Sequence, residues 1–232
     1  MTERVPAWTA SQIREAERPL LEAGIPLMRR AASALAAVLE KELGDAPRPR
    51  VLILAGSGDN GGDAMFAAAE VVEHADVDIL LVSPRFHEQA FATAVAAGAR
   101  NVELTALRHP DPAYGLVVDG ILGIGPSKDR ALRGTAREAV ALLLPAVRDG
   151  SARVVAVDLP SGLDPDSGAA DEMVLPASLT VTFGGVKVGL TRGRGPELSG
   201  DVVLVDIGLG IERAVPAVPP AGEASISGVY RA

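Results

Sequence analysis

The stretch VLILAGSGDNGGDAMFAAA, residues 51–69, decides the fold of this chain. Its first five residues are apolar and predict a strand buried on both faces, while the glycine-rich cluster that follows predicts a tight turn. The alanine-rich run that begins at Ala64 predicts a helix. The four glycines between Gly56 and Gly62 leave main-chain N–H groups free to close on an anion at the positive end of that helix. We therefore predict a strand, a phosphate-binding turn and a helix.

A plain connecting turn is the alternative interpretation of this stretch. The turn matches neither the GxGxxG dinucleotide motif nor the Walker lysine motif, so its glycines alone are weak evidence for a ligand. Asp59, Asn60 and Asp63 supply more side-chain oxygens than a helix cap needs. This surplus favours a binding role over a plain turn.

The rest of the chain alternates between strand and helix patterns. Continuous Val, Ile and Leu runs predict strands covered on both faces, and helical connections between them require parallel pairing. The predicted strands are 51–55, 77–82, 101–104 as a short extra strand, 116–122, 153–158, 179–183 and 201–207, and the predicted helices are 9–24, 27–44, 61–73, 86–98 and 135–148. The fold class is therefore α/β, with a three-layer αβα, Rossmann-like, doubly wound and mostly parallel sheet and two extra N-terminal helices. We expect one domain over residues 1–210 and a Pro-rich C-terminal tail or linker over residues 211–232.

Composition and charge exclude several classes of protein. The formal net charge is −8 and the chain has no cysteine. An acidic chain lacks the clustered basic side chains that nucleic-acid binding requires, and the missing cysteines exclude a disulfide framework and a Cys-ligated zinc site. No run of about eighteen apolar residues is present, and the first residues lack the apolar core of a signal peptide. We predict no membrane association and a cytoplasmic location.

Polar residues follow several of the predicted strands. Asp119 and Asp158 each open a loop at a strand end, and ligands of doubly wound sheets bind at that edge. Two such carboxylates facing the turn at Asp59 and Asn60 predict a shared oxygen-rich site. Lys187 follows strand 179–183 at the same edge and is the nearest fixed cation there, unless it is a solvated lysine of a glycine-rich turn.

Four separated motifs agree with one another in type and order. They are GDNGGD (58–63), VDGILGIG (118–125), DLPSGLD (158–164) and TVTFG (180–184) followed by Lys187. Together they resemble the NAD(P)H-hydrate epimerase family, also called the YjeF N-terminal family. The resemblance runs from about Thr9 to Gly210 and includes REAE (14–17) and GIPLM (24–28). Asp59 stands where the family usually has Asn.

The resemblance implies an enzyme that interconverts the R and S forms of hydrated NADH and NADPH, whose damaged nicotinamide ring carries a hydroxyl at C6. A partner NAD(P)H-hydrate dehydratase then repairs the S form. The resemblance also implies a potassium ion (K⁺) held by Asn60, Asp119 and Ser161, whose oxygens suit this cation. The residues implied to contact the substrate are Asp59, Asn60, Gly61, Gly62, Asp63, Gly123, Ile124, Gly125, Pro126, Ser127, Lys128, Asp129 and Asp158. We expect a homodimer.

Asp158 and Lys187 are the candidate catalytic residues. Epimerisation at C6 needs a group that gives and takes a proton, whether the hydroxyl leaves to form an iminium or the ring opens and recloses. Asp158 is the candidate for this transfer, because its strand-end position fixes it. Lys187 has two open roles, as the partner of Asp158 or of a substrate phosphate.

Two other functions remain open from the sequence. One is a non-catalytic binding or scaffold protein built on the same domain, for which the oxygen-rich cluster has no use. The other is a generic nucleotide-binding enzyme such as a kinase or dehydrogenase, which the missing Walker and GxGxxG motifs disfavour.

Overall fold

The computed structural model describes residues 3–44, 47–108, 113–125, 129–211 and 220–232. Its helices are α1 (Ala10–Glu22), α2 (Leu27–Glu42), α3 (Asp59–Val71), α4 (Glu88–Ala97), α5 (Gly134–Arg148) and α6 (Gly195–Leu198). Its strands are β1 (Glu3–Trp8), β2 (Arg50–Ala55), β3 (Asp76–Leu81), β4 (Arg100–Asn101), β5 (Leu116–Gly120), β6 (Arg153–Val157), β7 (Leu179–Phe183), β8 (Val186–Lys187), β9 (Asp201–Asp206), β10 (Gly222–Ile226) and β11 (Gly228–Arg231).

The main sheet has eight strands in the order β11-β9-β7-β6-β5-β2-β3-β4, and every pairing within it is parallel. This confirms the predicted α/β fold class. The two predicted N-terminal helices are present as α1 and α2, with Thr9 as the side-chain cap of α1.

Strand β2 lies at the centre of two apolar cores, one on each face of the sheet. Val51 and Ile53 pack in the core that contains residues of α1, α2, α3 and α4. Leu52 and Leu54 pack in the opposite core with residues of α5. Because successive side chains of a strand point to opposite faces, a strand covered on both sides is continuously apolar.

The turn after β2 packs directly against the end of β5. A Cβ atom at Gly56 would lie 1.8 Å from the carbonyl oxygen of Ile121, and the Gly56 N–H donates to Gly120 O at 3.1 Å. Only glycine permits this approach. Helix α3 begins at Asp59, two residues before the predicted start at Gly61.

A second, smaller sheet has the order β10-β1-β8, and neither this sheet nor β11 was predicted. Strand β1 pairs antiparallel with β10 and parallel with β8, where Trp8 aligns with Lys187. Strand β11 pairs with β9 at the edge of the main sheet. The prediction of a tail or linker is therefore wrong for Gly222–Ile226 and Gly228–Arg231, which belong to the folded unit.

None of the helices in the described residues is long and apolar enough to cross a membrane. The longest, α2, carries several charged side chains along its length.

The packing of β10 predicts that the C-terminal segment stabilises the fold. Ile226 is fully buried in the small core beneath the second sheet, so Ile226→Ala should lower the free energy of unfolding by about 2–5 kcal/mol. Val229 of β11 is 45% exposed, and Val229→Ala is the matched control, with an expected change within about 0.5 kcal/mol. Urea denaturation measures both. An Ile226→Ala variant as stable as the control would mean that this segment does not pack as described.

Candidate active site

The loops after β2, β5 and β6 meet at the carboxyl edge of the main sheet. Asp119 is level with Leu54 of β2 on one side and Ala156 of β6 on the other. Asp158 follows two residues after Ala156. The predicted strand-end carboxylates thus lie at one edge, beside the start of α3.

Asp158 and Lys187 form a buried ion pair. The Lys187 ammonium contacts Asp158 Oδ1, and the side chains of Lys187 and Asp158 are only 1% and 6% exposed, respectively. Lys187 Nζ also donates to Phe183 O at 2.8 Å and to Thr182 Oγ1 at 3.3 Å. The alternative of a solvated lysine is therefore wrong. Of the two roles left open for Lys187, the structure shows the pairing with Asp158.

The main chain at Asp158 is strained. Its φ is +70°, the only positive value at a non-glycine residue among the described residues, and such a conformation costs on the order of 1 kcal/mol. Its N–H donates to Val181 O at 2.7 Å. Thr182 Oγ1 and the Phe183 N–H each donate to Asp158 Oδ1 at 3.2 Å. Strand β7 thus holds the carboxylate in a defined position despite the strain.

Asp119, Ser161 and Asn60, the predicted cation ligands, all lie around the main chain of Leu122. Asp119 Oδ2 accepts from the Ser161 N–H at 2.8 Å, and Ser161 Oγ accepts from the Leu122 N–H at 2.8 Å. Asn60 Nδ2 donates to Leu122 O at 3.2 Å and to Val157 O. The structure therefore brings the three side chains together.

The Asp119 carboxyl is fully buried, and no cationic side chain pairs with it in the described part of the chain. Burial raises its pKa, and hydrogen bonds from Ser161 and Ile121 oppose that rise. The described residues contain no group of three or more His, Cys, Asp or Glu side chains placed to hold a metal ion. The donors here are amide, hydroxyl and carboxylate oxygens with a single formal charge, a set that fits a monovalent hard cation better than zinc or calcium.

Asp63, one turn into α3, is a second buried carboxyl that has no cationic partner among the described residues. It is 5% exposed, and Oδ1 has no hydrogen-bond partner in the structure. Burial raises the pKa of Asp63 well above its usual range, and the charges of Asp158, Asp59 and Glu17 raise it further, whereas Lys187 opposes them. Burial, together with Asp158 and Asp59, also raises the pKa of Glu17.

Two arginines hold the loop of residues 123–125 by its carbonyl groups. Arg130 donates to Gly123 O at 2.7 Å and to Gly125 O at 2.8 Å. Arg14 of α1 donates to Ile124 O. Within the described chain, the N–H groups of these loop residues donate no hydrogen bonds. Free main-chain N–H groups in a loop are able to bind an anion.

The loop also packs against the start of α3. A Cβ atom at Gly123 would lie 2.4 Å from Asn60 Oδ1, so this position requires glycine. Helix α1 joins the loop to the acidic cluster, since Arg14 contacts the loop and Glu17, almost one turn later, interacts with Asp63. The 123–125 loop and the buried carboxyls therefore lie beside each other at the sheet edge.

The remaining predicted site residues have more peripheral positions. Asp59 is the exposed first residue of α3. Asp129 accepts from the Ala131 N–H at 3.0 Å and pairs with Arg133. Gly61 and Gly62 lie in the first turn of α3. The predicted contacts Pro126, Ser127 and Lys128 lie outside the described residues.

The sequence analysis missed Arg14, Glu17 and Arg130. All three lie in segments that were recognised, the REAE helix and the loop after the second motif. Their contacts depend on how α1 packs over the sheet edge, and no local pattern indicates that.

Comparison with known proteins establishes the family. Residues 24–189 match the family described as YjeF-related protein N-terminus. The chain belongs to this family. A curated relative from Microbacterium testaceum, named NAD(P)H-hydrate epimerase, is 56% identical over 223 residues, which cover 95% of this chain and 86% of that protein. The resemblance read from the four motifs is thereby confirmed.

Two further comparisons add a longer relative and a solved structure. The bifunctional NAD(P)H-hydrate repair enzyme Nnr of Mycobacterium tuberculosis is 42% identical over 211 residues, which cover 87% of this chain and 41% of that protein. The crystal structure of the yeast protein ynu0 superimposes with a TM-score of 0.69 at 20% identity and covers 81% of this chain and 84% of that chain. At this identity the superposition shows the shared fold.

The buried ion pair predicts a specific pattern in a double-mutant cycle. Asp158→Asn or Lys187→Met alone leaves one buried charge unpaired, and each should lower the free energy of unfolding by about 3–5 kcal/mol. The double variant should lose clearly less than the sum of the two, because neither charge is then left alone. Urea denaturation gives the values. Glu197→Gln, in the exposed Arg194–Glu197 pair, is the control and should change little. Strictly additive losses from the buried pair would contradict the ion pair.

Proposed function

We propose that this chain is an epimerase that interconverts the R and S forms of hydrated NADH and NADPH. The observation that carries the proposal is the single site at the sheet edge, where an anion-binding loop adjoins buried carboxyls. A phosphate-bearing substrate that undergoes proton transfer needs both features. The name of the Microbacterium testaceum relative, NAD(P)H-hydrate epimerase, supports the same activity.

The loop of residues 123–125 and the start of α3 supply the contacts for the substrate diphosphate. Free N–H groups in the loop and the positive end of α3 both attract an anion. Arg14 and Arg130 hold the loop carbonyls and bring positive charge to its rim. Because Lys187 is paired with Asp158, these two arginines are the better source of positive electrostatic potential for the substrate phosphates.

When the C6 hydroxyl leaves, a group in the site must give it a proton. When water adds to C6 again, a group must take a proton from that water. Acidic side chains in a site of low water content can supply both steps, since burial brings their pKa towards the working pH. The buried carboxyls described above have this property.

Asn60, Asp119 and Ser161 are the proposed ligands of a potassium ion. Their oxygens fit this cation, and Asp119 is a buried carboxyl without a cationic partner among the described residues. Bound potassium would add positive charge beside the substrate phosphates. The three ligands also fix the end of β5 against the loop after β6.

A dehydratase that acts on the S form is the proposed functional partner. The relative from Mycobacterium tuberculosis is named a bifunctional repair enzyme, and this chain corresponds to 41% of its length. A homodimer and a cytoplasmic location remain proposals from the sequence.

A binding or scaffold role is the alternative function. It gives no reason for a strained, ion-paired Asp158 or for an unpartnered carboxyl at Asp63, because both features lower stability and neither is on the surface. The enzyme is therefore the better account of the geometry.

The proposed activity predicts that the purified protein accelerates interconversion of the two hydrates. A single epimer of hydrated NADH or NADPH is incubated with the protein, and the second epimer is followed by chromatography. We expect an approach to equilibrium that is faster in proportion to protein concentration. The protein-free solution and a heat-denatured sample are the controls. A rate equal to that of the protein-free solution would refute the epimerase.

The proposed cation site predicts a potassium-specific gain in stability. A ligand that binds only the folded state raises the midpoint of thermal unfolding, so the wild type should unfold at a higher temperature in potassium chloride than in choline chloride of equal ionic strength. Asp119→Asn removes the formal charge of the ligand set and should abolish most of the difference. A wild type equally stable in both salts, or a variant that retains the full gain, would contradict the assignment.

A further inference from the structure

We propose that Asp63 is the catalytic group that carries the proton of the epimerisation, and that it enters the reaction as the neutral acid. This inference builds on the proposed epimerase activity. It assigns to Asp63 the role that the sequence suggested for Asp158, and it leaves Asp158 as a fixed, charged partner of Lys187.

The contacts of Asp158 make it a poor proton carrier. Its Oδ1 accepts from Lys187 Nζ, from Thr182 Oγ1 and from the Phe183 N–H. An oxygen with three donors directed at it is held as the acceptor of an ion pair. Protonating this carboxylate would leave the Lys187 ammonium buried without its counter-charge, which is strongly unfavourable.

The surroundings of Asp63 favour a neutral carboxyl. The side chain is 5% exposed and Oδ1 has no donor directed at it in the structure. Ionisation would leave the buried Oδ1 without solvent or a hydrogen bond, whereas a neutral acid loses much less on burial.

The charged groups around Asp63 act in the same direction. Asp59 precedes it by one turn on α3, Glu17 faces it from α1, and Asp158 faces it from the end of β6. These carboxyls raise the pKa of Asp63, and burial is the largest cause of the rise. Among the described residues, the charge of Lys187 opposes them, and Lys187 is already paired with Asp158.

Asp63 also occupies a suitable place for contact with the substrate. It is the last residue of the GDNGGD motif and lies one turn into α3. Asn60, earlier in this turn, touches Gly123 of the anion-binding loop. A dinucleotide whose phosphates bind that loop therefore has its hydrated ring within reach of the same turn.

The step balances with Asp63 and water alone. The Asp63 carboxyl gives its proton to the C6 hydroxyl, the C6–O bond breaks, and water leaves while the ring nitrogen lone pair forms the C=N bond of an iminium. Water then adds to C6 from the opposite face, and its proton returns to the Asp63 carboxylate. No oxidant, reductant or other reactant is consumed.

The test compares Asp63→Asn with the wild type in the hydrate assay. Asparagine matches the shape of a neutral acid but cannot transfer the proton, so kcat should fall about 100-fold or more, while the dissociation constant for the hydrate, from calorimetry, stays within about threefold. A wild type that does not epimerise would refute the proposed function itself. If the wild type is active and Asp63→Asn has a similar kcat, only this inference is overturned. It is also overturned if the variant loses activity only because it binds the hydrate more weakly.

The pH dependence supplies a second readout that a purely structural role would not move. Because Asp63 acts as the acid, kcat of the wild type should fall as pH rises through the raised pKa of Asp63. Glu17→Gln removes a charge that raises this pKa, so the fall in kcat should begin at lower pH than in the wild type. An unchanged profile in Glu17→Gln would overturn the inference even if Asp63→Asn failed to fold.

Stability gives the final check on the same variant. A carboxyl whose pKa is raised in the folded state lowers the free energy of unfolding as the pH rises above the ordinary pKa of 3.8. Asp63→Asn removes this penalty, so the variant should be more stable than the wild type at neutral pH, with a smaller difference in acid. A variant that is less stable at neutral pH would contradict a neutral Asp63.

Discussion

The buried ion pair between Asp158 and Lys187 connects the two sheets of this protein. Asp158 follows β6 of the main sheet, while Lys187 lies in β8, which pairs with β1 of the second sheet. Strand β1 in turn pairs with β10 from the C-terminal segment. Both ends of the chain are thus joined to the site through one charged contact. Because a broken buried pair is far worse than an intact one, the contact fixes the relative position of these strands.

The charge of each buried aspartate is compensated in a different way. Asp158 has a lysine, and Asp78, at the other end of the sheet, has two arginines and a tyrosine hydroxyl. Asp119 has main-chain N–H donors and, in our proposal, a potassium ion. Asp63 has none of these among the described residues, so a proton is the remaining means of neutralising it. Asp63 and Asp119 have no cationic partner among the described residues. In this they differ from Asp78, whose ion pairs stabilise the fold.

The sequence predicted the centre of the fold much better than its edges. Strand β2 could be predicted because both faces are buried and its residues are continuously apolar. The segments Glu3–Trp8 and Gly222–Ile226 carry no such run, and they become strands only because they pair with each other across almost the whole chain. For the site, Asp158 and Lys187 could be placed at one edge from strand order alone. The arginines that hold the 123–125 loop could not, since their contacts depend on tertiary packing.

In our proposal, Asp158 is charged and the neighbouring buried acid Asp63 is neutral. Infrared difference spectroscopy between the wild type and Asp63→Asn at neutral pH tests this without any substrate. We expect the wild type to show the C=O stretching band of a protonated carboxyl that the variant lacks, and we expect a higher pH to convert this band into carboxylate bands. A difference spectrum at neutral pH that contains only carboxylate bands would contradict it.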